Sequence, residues 1–188
     1  PVIGMIGMIE NKNRQMTSAF KNKGDVIFLI GLLEEDINSS EYLHSYHGIS
    51  HSPAPAFDLE FEYRLQNTVY SLIQHNLINS AHDVSDGGLF ITLLESAMPN
   101  ALGFDITSLT EIRTDAFLFG ESQSRIVVSV TPGKETKFID YMEKAEIPVI
   151  ILGHVTRGEM RVDDASFGFV QDAQAVYESI LPEKMEGH

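Results

Sequence analysis

Residues 80–90 read Ser-Ala-His-Asp-Val-Ser-Asp-Gly-Gly-Leu-Phe and gather four polar side chains, His82, Asp83, Ser85 and Asp86, ahead of two glycines. Carboxylates such as Asp83 and Asp86 can hold magnesium through hard oxygen ligands. Gly87 and Gly88 let a ligand come close to the backbone, and the first N–H groups of a helix have no partner inside it, so they can meet a phosphate or a carboxylate. The same residues also suit plain architecture. Asp86 can serve as an N-cap contributing about 1 kcal/mol, and the glycines can serve only a tight turn. The residues by themselves leave both readings open.

A second polar set follows at Gly120-Glu121-Ser122-Gln123-Ser124-Arg125. A carboxylate, an amide, two hydroxyls and a guanidinium ahead of a strand can fix a polar substrate by directional hydrogen bonds. The alternative is a solvated turn with an Arg–Glu pair of small energetic worth. No catalytic nucleophile is assigned, and no metal ligands are fixed. The histidines lack metalloprotease spacing, and His44, His47 and His51 lie in or beside a proline-bearing stretch that suits a loop better than a zinc site. Walker-type phosphate loops and nucleophile elbows are absent from the sequence. Gly4-Met5-Ile6-Gly7 lacks the third glycine of a dinucleotide fingerprint.

These residues need a scaffold, and the pattern supplies one. Val26 to Ile30 is a short apolar run after Gly24-Asp25 and before Gly31, which predicts a buried strand. Ser40 to Tyr46 predicts a short helix, and 47–57, with Gly48, Pro53 and Pro55, an irregular stretch. Asp58 is an N-cap candidate for a helix carrying Phe61, Leu65, Val69, Leu72 and Ile73 on one face to about Asn76. Leu77 to Val84 predicts a strand leading into the first polar turn, and Leu89, Leu93 and Ala97 a helix stopped near Pro99. Gly103 to Ile106 predicts a strand, and Phe117 to Gly120 leads to the second polar turn. Arg125 to Val130 predicts a strand with Ile126, Val128 and Val130 on one side. Pro132-Gly133 opens a helix with Phe138, Tyr141 and Met142 inward. Pro148 to Val155 predicts a strand, with Met160 to Val162 pairing with it across Arg157-Gly158, and Ala173 to Ile180 a last helix. Strands alternate with helices without an internal repeat, so the fold class is α/β, a mixed sheet covered by helices.

Bulk properties narrow the function. The 188 residues are long enough for one domain with a real core. A net charge of −14 argues against nucleic acid and against anionic membranes as partners. It leaves room for a single phosphorylated small molecule. Without cysteine there are no disulfides and no thiolate metal sites, which fits a reducing compartment. No apolar run reaches membrane-span length, and the start has no basic-then-apolar signal pattern. The apolar start, Pro1 to Ile9, is strand-like. It reads as the cut edge of a longer protein, and Val2 to Ile9 as a surface that a neighbouring domain would cover. Residues 1–185 are read as one domain and 186–188 as a tag remnant.

Three segments occur in a telling order: Pro1-Val2-Ile3-Gly4-Met5-Ile6-Gly7, Ala81-His82-Asp83-Val84-Ser85-Asp86-Gly87-Gly88-Leu89 and Phe119-Gly120-Glu121-Ser122-Gln123-Ser124-Arg125. Together they resemble the C-terminal domain of the aminoimidazole ribonucleotide synthetase superfamily. Within it the chain most resembles the last domain of the phosphoribosylformylglycinamidine synthases, and the likeness runs from Pro1 to about Leu181. The resemblance implies an ATP-dependent carbon–nitrogen ligase of purine biosynthesis in the cytoplasm. Such enzymes convert formylglycinamide ribonucleotide to its amidine. It implies ATP and magnesium as cofactors of the full-length enzyme, neither binding tightly to this domain alone. It implies as partners the N-terminal domains of the same polypeptide, a glutaminase component, fused or separate, and the ribonucleotide substrate.

On the same resemblance, His82, Asp83, Ser85, Asp86, Gly87, Gly88, Glu121, Ser122, Gln123 and Arg125 are ligand-binding candidates, and the isolated domain is inactive. The form of the 82–88 turn resembles the second of the family's two internal halves, where the site can hold a structural nucleotide. Other members of the superfamily, among them the aminoimidazole ribonucleotide synthetases, selenophosphate synthetases and thiamine-phosphate kinases, stay open as alternatives. So does a non-catalytic scaffolding domain of the fused pseudo-dimer.

Overall fold

The computed structural model describes residues 4, 6–109 and 111–186. Its elements run β1 (Val26–Gly31), α1 (Leu59–Gln74), β2 (Ser80–Asp83), α2 (Gly88–Ala97), β3 (Gly103–Ile106), α3 (Thr114–Phe119), β4 (Arg125–Val130), α4 (Glu135–Ala145), β5 (Val149–Thr156), β6 (Glu159–Val162), β7 (Ala165–Phe169) and α5 (Val170–Glu186). The strands form one sheet in the order β2-β4-β1-β5-β3-β6-β7. All neighbours are antiparallel except β3 and β6.

β1 is a continuous apolar run because helices cover both faces of the sheet there. Ile27 and Leu29 point to a core with Val127, Leu89 and Leu93 of α2, Phe117 of α3 and Val170 of α5. Val26, Phe28 and Ile30 point the other way, to Val128 and Val130, Phe61, Leu65 and Leu72 of α1, and Phe138 and Met142 of α4. Phe28 packs on Phe138 with ring centroids 4.7 Å apart. Each such fully buried side chain contributes about 2–3 kcal/mol.

α1 forms as its pattern predicts. The Asp58 side chain accepts the Phe61 N–H at 3.0 Å, and Phe61, Leu65 and Leu72 are buried along one face. In α4, Phe138 and Met142 are buried, while Tyr141 is half-buried beside the His75 ring.

Several expectations need correction. Met160 to Val162 does not pair with the 148–155 strand, because β3 lies between β5 and β6. The chain crosses over Gly103 instead of turning back as a hairpin. A Cβ at Gly103 would stand 2.2 Å from the Glu159 carbonyl, so only glycine lets the backbones pass. The last helix starts at Val170, directly after β7, and runs past Pro182 on an exposed face. The strand before the first polar turn is confined to Ser80–Asp83, and the Leu77 N–H is still bound to the Leu72 carbonyl at the end of α1. Of the strand-like run 1–9, residues 1–3 and 5 lie outside the described residues. Gly4 and residues 6–9 are irregular and exposed, with no ladder partner. Of the 186–188 tail, Glu186 still belongs to α5 and 187–188 lie outside the described residues.

Between β1 and α1 the chain makes a long excursion through 32–57. Its regular part is a π-helical turn at Tyr42–Tyr46, closed by the His47 N–H on the Tyr42 carbonyl at 3.2 Å.

Candidate functional site

The two polar turns meet because of strand pairing. β2 runs antiparallel to β4 with Asp83 opposite Ile126, and β1 ends with Gly31 opposite Arg125. The end of β2 therefore lies beside the start of β4, and the turn that leaves one faces the turn that enters the other. Between them is a cleft of about 290 Å³ lined by Glu62, Leu65, Asp83, Val84, Ser85, Asp86, Glu121, Gln123, Ser124, Arg125 and Ile126.

Within this cleft the residues separate into exposed groups and held groups. Asp83, Ser85, Asp86 and Gln123 are exposed. Asp86 is not the helix cap. That position is Gly87, at φ +85° with no side-chain cap bond, so the Asp86 carboxylate is free of that task.

The glycines serve the fold more than a ligand. The Gly87 N–H donates to Glu121 Oε1 at 2.8 Å, and the Gly88 N–H donates to the Ser85 carbonyl at 3.0 Å. The anion-binding role expected of these two N–H groups is corrected accordingly, since both already have partners. The close backbone approach is also internal. At φ +71°, a Cβ on Gly88 would stand 2.7 Å from the Phe119 backbone. Its absence is what seats the start of α2 on the end of α3.

Arg125 is 2% exposed and faces inward. Its Nε donates to the Ser122 carbonyl at 3.0 Å and its Nη2 to the Gly120 carbonyl at 2.6 Å. Burial pushes its guanidinium down to about 10, against the pull of Glu34, Glu121 and Asp36. Arg125 thus shapes the 120–124 turn from below. Ser122 is buried too, and its hydroxyl makes no hydrogen bond among the described residues.

His82 lies away from the cleft. Its Nε2 is 3.2 Å from Glu95 of α2 and its Nδ1 is 3.3 Å from Asp83. Glu62 is an addition that the sequence did not single out as a site residue, and Ser124, one of the two hydroxyls of the second polar set, is its partner. The Ser124 hydroxyl donates to Glu62 Oε2 at 2.5 Å and ties α1 to the second turn. Glu62 carried only the ordinary signal of an acidic first helical turn, and its partner lies 62 positions away, so nothing local marks it.

Carboxylates of Glu62, Asp83, Asp86 and Glu121 line the cleft. Among the described residues, however, no three His, Asp or Glu side chains gather in a way that could hold a metal ion. The arrangement can orient a polar ligand from Asp83, Ser85, Asp86 and Gln123. It does not by itself fit a magnesium ion.

Comparison with known proteins agrees with the fold and the motif order. Residues 22–164 match the family model described as AIR synthase related protein, C-terminal domain. A phosphoribosylformylglycinamidine synthase subunit PurL from Alkaliphilus metalliredigens is 39% identical over 162 residues, covering 86% of this chain and 22% of that protein. The corresponding subunit from Symbiobacterium thermophilum is 43% identical over 160 residues, covering 83% of this chain and 21% of that protein. The chain thus spans about a fifth of the length of these relatives. Among solved structures, Thermotoga maritima PurL complexed with FGAR matches with a TM-score of 0.72 at 17% identity, over 85% of this chain and 29% of that one. A thiamine-monophosphate kinase from Stenotrophomonas maltophilia matches with a TM-score of 0.54 at 16% identity, over 82% of this chain and 55% of that one.

Proposed function

The chain belongs to the AIR synthase related family, as its C-terminal domain, and from that premise we propose that it is the last domain of a phosphoribosylformylglycinamidine synthase. The observation that carries the reading is the convergence of the 83–86 turn and the 121–125 turn on one polar cleft. Relatives of 39% and 43% identity bearing the synthase name support it.

In the proposed reaction ATP transfers its terminal phosphoryl group to the amide oxygen of formylglycinamide ribonucleotide. Ammonia then adds to the activated carbon and phosphate leaves, giving the amidine with ADP and phosphate. Phosphoryl transfer of this kind depends on positioning and charge stabilisation more than on a protein nucleophile. In this chain Asp83, Ser85, Asp86 and Gln123 orient a polar ligand at the cleft mouth. Gly87, Gly88, Ser122 and Arg125 hold the two turns that present them. His82 braces β2 against α2.

Magnesium fits poorly to these residues alone, so no step is assigned to it here. Nucleotide and metal would be held chiefly by other domains of the polypeptide. The work is placed in the cytoplasm, beside a glutaminase that supplies ammonia.

A second reading is a scaffolding domain without substrate contact, favoured by the internal hydrogen bonds of Gly87, Gly88 and Arg125. Asp86→Asn in the full-length synthase separates the two. A collapse in turnover at unchanged thermal stability supports the ligand-orienting role. Unchanged turnover overturns it in favour of the scaffold.

A further inference from the structure

Glu121 Oε1 accepts two backbone hydrogen bonds, one from the Gly87 N–H and one from the Glu41 N–H, each at 2.8 Å. The donors lie 34 and 80 positions away in sequence. A carboxylate oxygen has lone pairs for both, and charge makes each bond stronger than a neutral one. Gly87 precedes α2 and has no side chain with which to cap it, so its N–H is fixed from outside the helix. Glu41 begins the π-helical turn, whose Tyr42 ring stacks on Phe119 at 5.3 Å and meets His47 edge-on at 4.7 Å.

We propose that Glu121 is a positioning residue that couples the cleft turn at 83–88 to the aromatic turn at 41–47. Its one oxygen holds the backbone that presents Asp83, Ser85 and Asp86. The same oxygen anchors the 32–57 excursion at its middle, against the end of α3. The likeness in sequence casts Glu121 as a substrate contact. The geometry instead gives it a structural task with functional reach, since a shift at either turn is felt by the other through this shared acceptor. Its consequence for a ligand rests on the cleft being a ligand site, but the coupling itself does not.

Backbone amide hydrogen exchange on the 188-residue chain, resolved by residue, reads the two bonds directly. In Glu121→Ala, the Gly87 and Glu41 amides are expected to exchange at least about tenfold faster, while amides in the middle of β4 keep their protection. Glu121→Gln keeps a carbonyl oxygen in place and is expected to restore most of the protection at both. The proposal is overturned if either amide is unchanged in Glu121→Ala, if all amides speed up uniformly, or if Glu121→Gln restores neither. Should Glu121→Ala not fold, Glu41→Pro removes the Glu41 N–H at a φ of −58°, which proline adopts, along with the carboxylate that accepts the Ser45 hydroxyl, and Ser45→Ala is the control for that second loss. It is expected to change the exchange of the Gly87 amide through the shared Glu121 oxygen as well as loosening the 42–47 amides, and an unchanged Gly87 amide would overturn the coupling. No ligand enters these measurements, so a failure of the synthase reading leaves their outcome intact.

Discussion

Arg125, the first residue of β4, donates from Nη2 to the Gly120 carbonyl at 2.6 Å and so holds the end of α3 against the sheet. A second bond from Nε to the Ser122 carbonyl makes the guanidinium a two-point clamp on the turn that carries Glu121 and Gln123. Replacing Arg125 by Met preserves much of the volume but leaves both carbonyls without their donor in a buried place. The expected loss is about 3 kcal/mol. Arg125→Lys is expected to recover little of it, because an ammonium cannot reproduce the planar fork. Urea denaturation midpoints of the two variants check this, and an Arg125→Met variant within 1 kcal/mol of the parent would refute the clamp.

Gly88 makes a second structural demand at the same place. Its φ of +71° disfavours any side chain, and a Cβ would meet the Phe119 backbone at 2.7 Å. Gly88→Ala is therefore expected to cost about 3 kcal/mol, from backbone strain together with a displaced helix contact. Gly133→Ala is the control, since nothing stands within 4 Å of a Cβ there. Equal thermal midpoints for the two variants would contradict this account of the α2–α3 contact.

What the sequence revealed and what it hid divide along physical lines. The buried run Val26 to Ile30, the capped helix from Asp58 and the strand from Arg125 depend on local periodicity and composition, and these survive unaltered into the fold. The sheet order does not, because β3 enters between β5 and β6 through a crossing that only Gly103 permits. The site divides in the same way. Both polar turns were legible as candidate ligand sites from residue types. That Gly87 and Gly88 already have hydrogen-bond partners was not, because those partners depend on how the turn folds. Neither was the inward aim of Arg125, since a guanidinium in a polar hexapeptide reads as a surface group until its burial is known.

The acid limit of stability should carry a contribution from α3. Burial alone pushes the Asp115 carboxyl up. The hydrogen bond from Arg113 and the Ala116 N–H outweigh it, and the group is held below its ordinary 3.8. A depressed carboxyl stabilises the fold fully above the unfolded value and loses that contribution as pH falls through the folded one. Asp115→Asn is thus expected to flatten part of the stability loss below about pH 4 and to change little of its slope near neutrality. Denaturant titrations at several acid pH values check this. Parallel acid limbs for parent and variant would remove Asp115 from the account.

At the opposite end of the pH scale stands a contact between helices far apart in sequence. The Tyr177 hydroxyl of α5 donates to Glu95 Oε1 of α2 at 2.9 Å, and Glu95 Oε2 lies 3.2 Å from His82 Nε2 on β2. That hydrogen bond, with the charge of Glu95 behind it, raises the Tyr177 hydroxyl above its ordinary 10.0. For an acid whose folded value is raised, the stabilising contribution is complete below the unfolded value and is lost as pH rises through the folded one. Tyr177 should therefore help hold α5 to α2 up to about pH 10 and release it above. The Tyr177 share of the phenolate titration, isolated as the difference between parent and Tyr177→Phe, should have its midpoint above 10.0 and fall back towards that value in Glu95→Gln. An unmoved midpoint in Glu95→Gln would mean that the helices are held together by packing alone. A moved one would make Glu95 the shared acceptor that ties the C-terminal helix to the strand leading into the cleft.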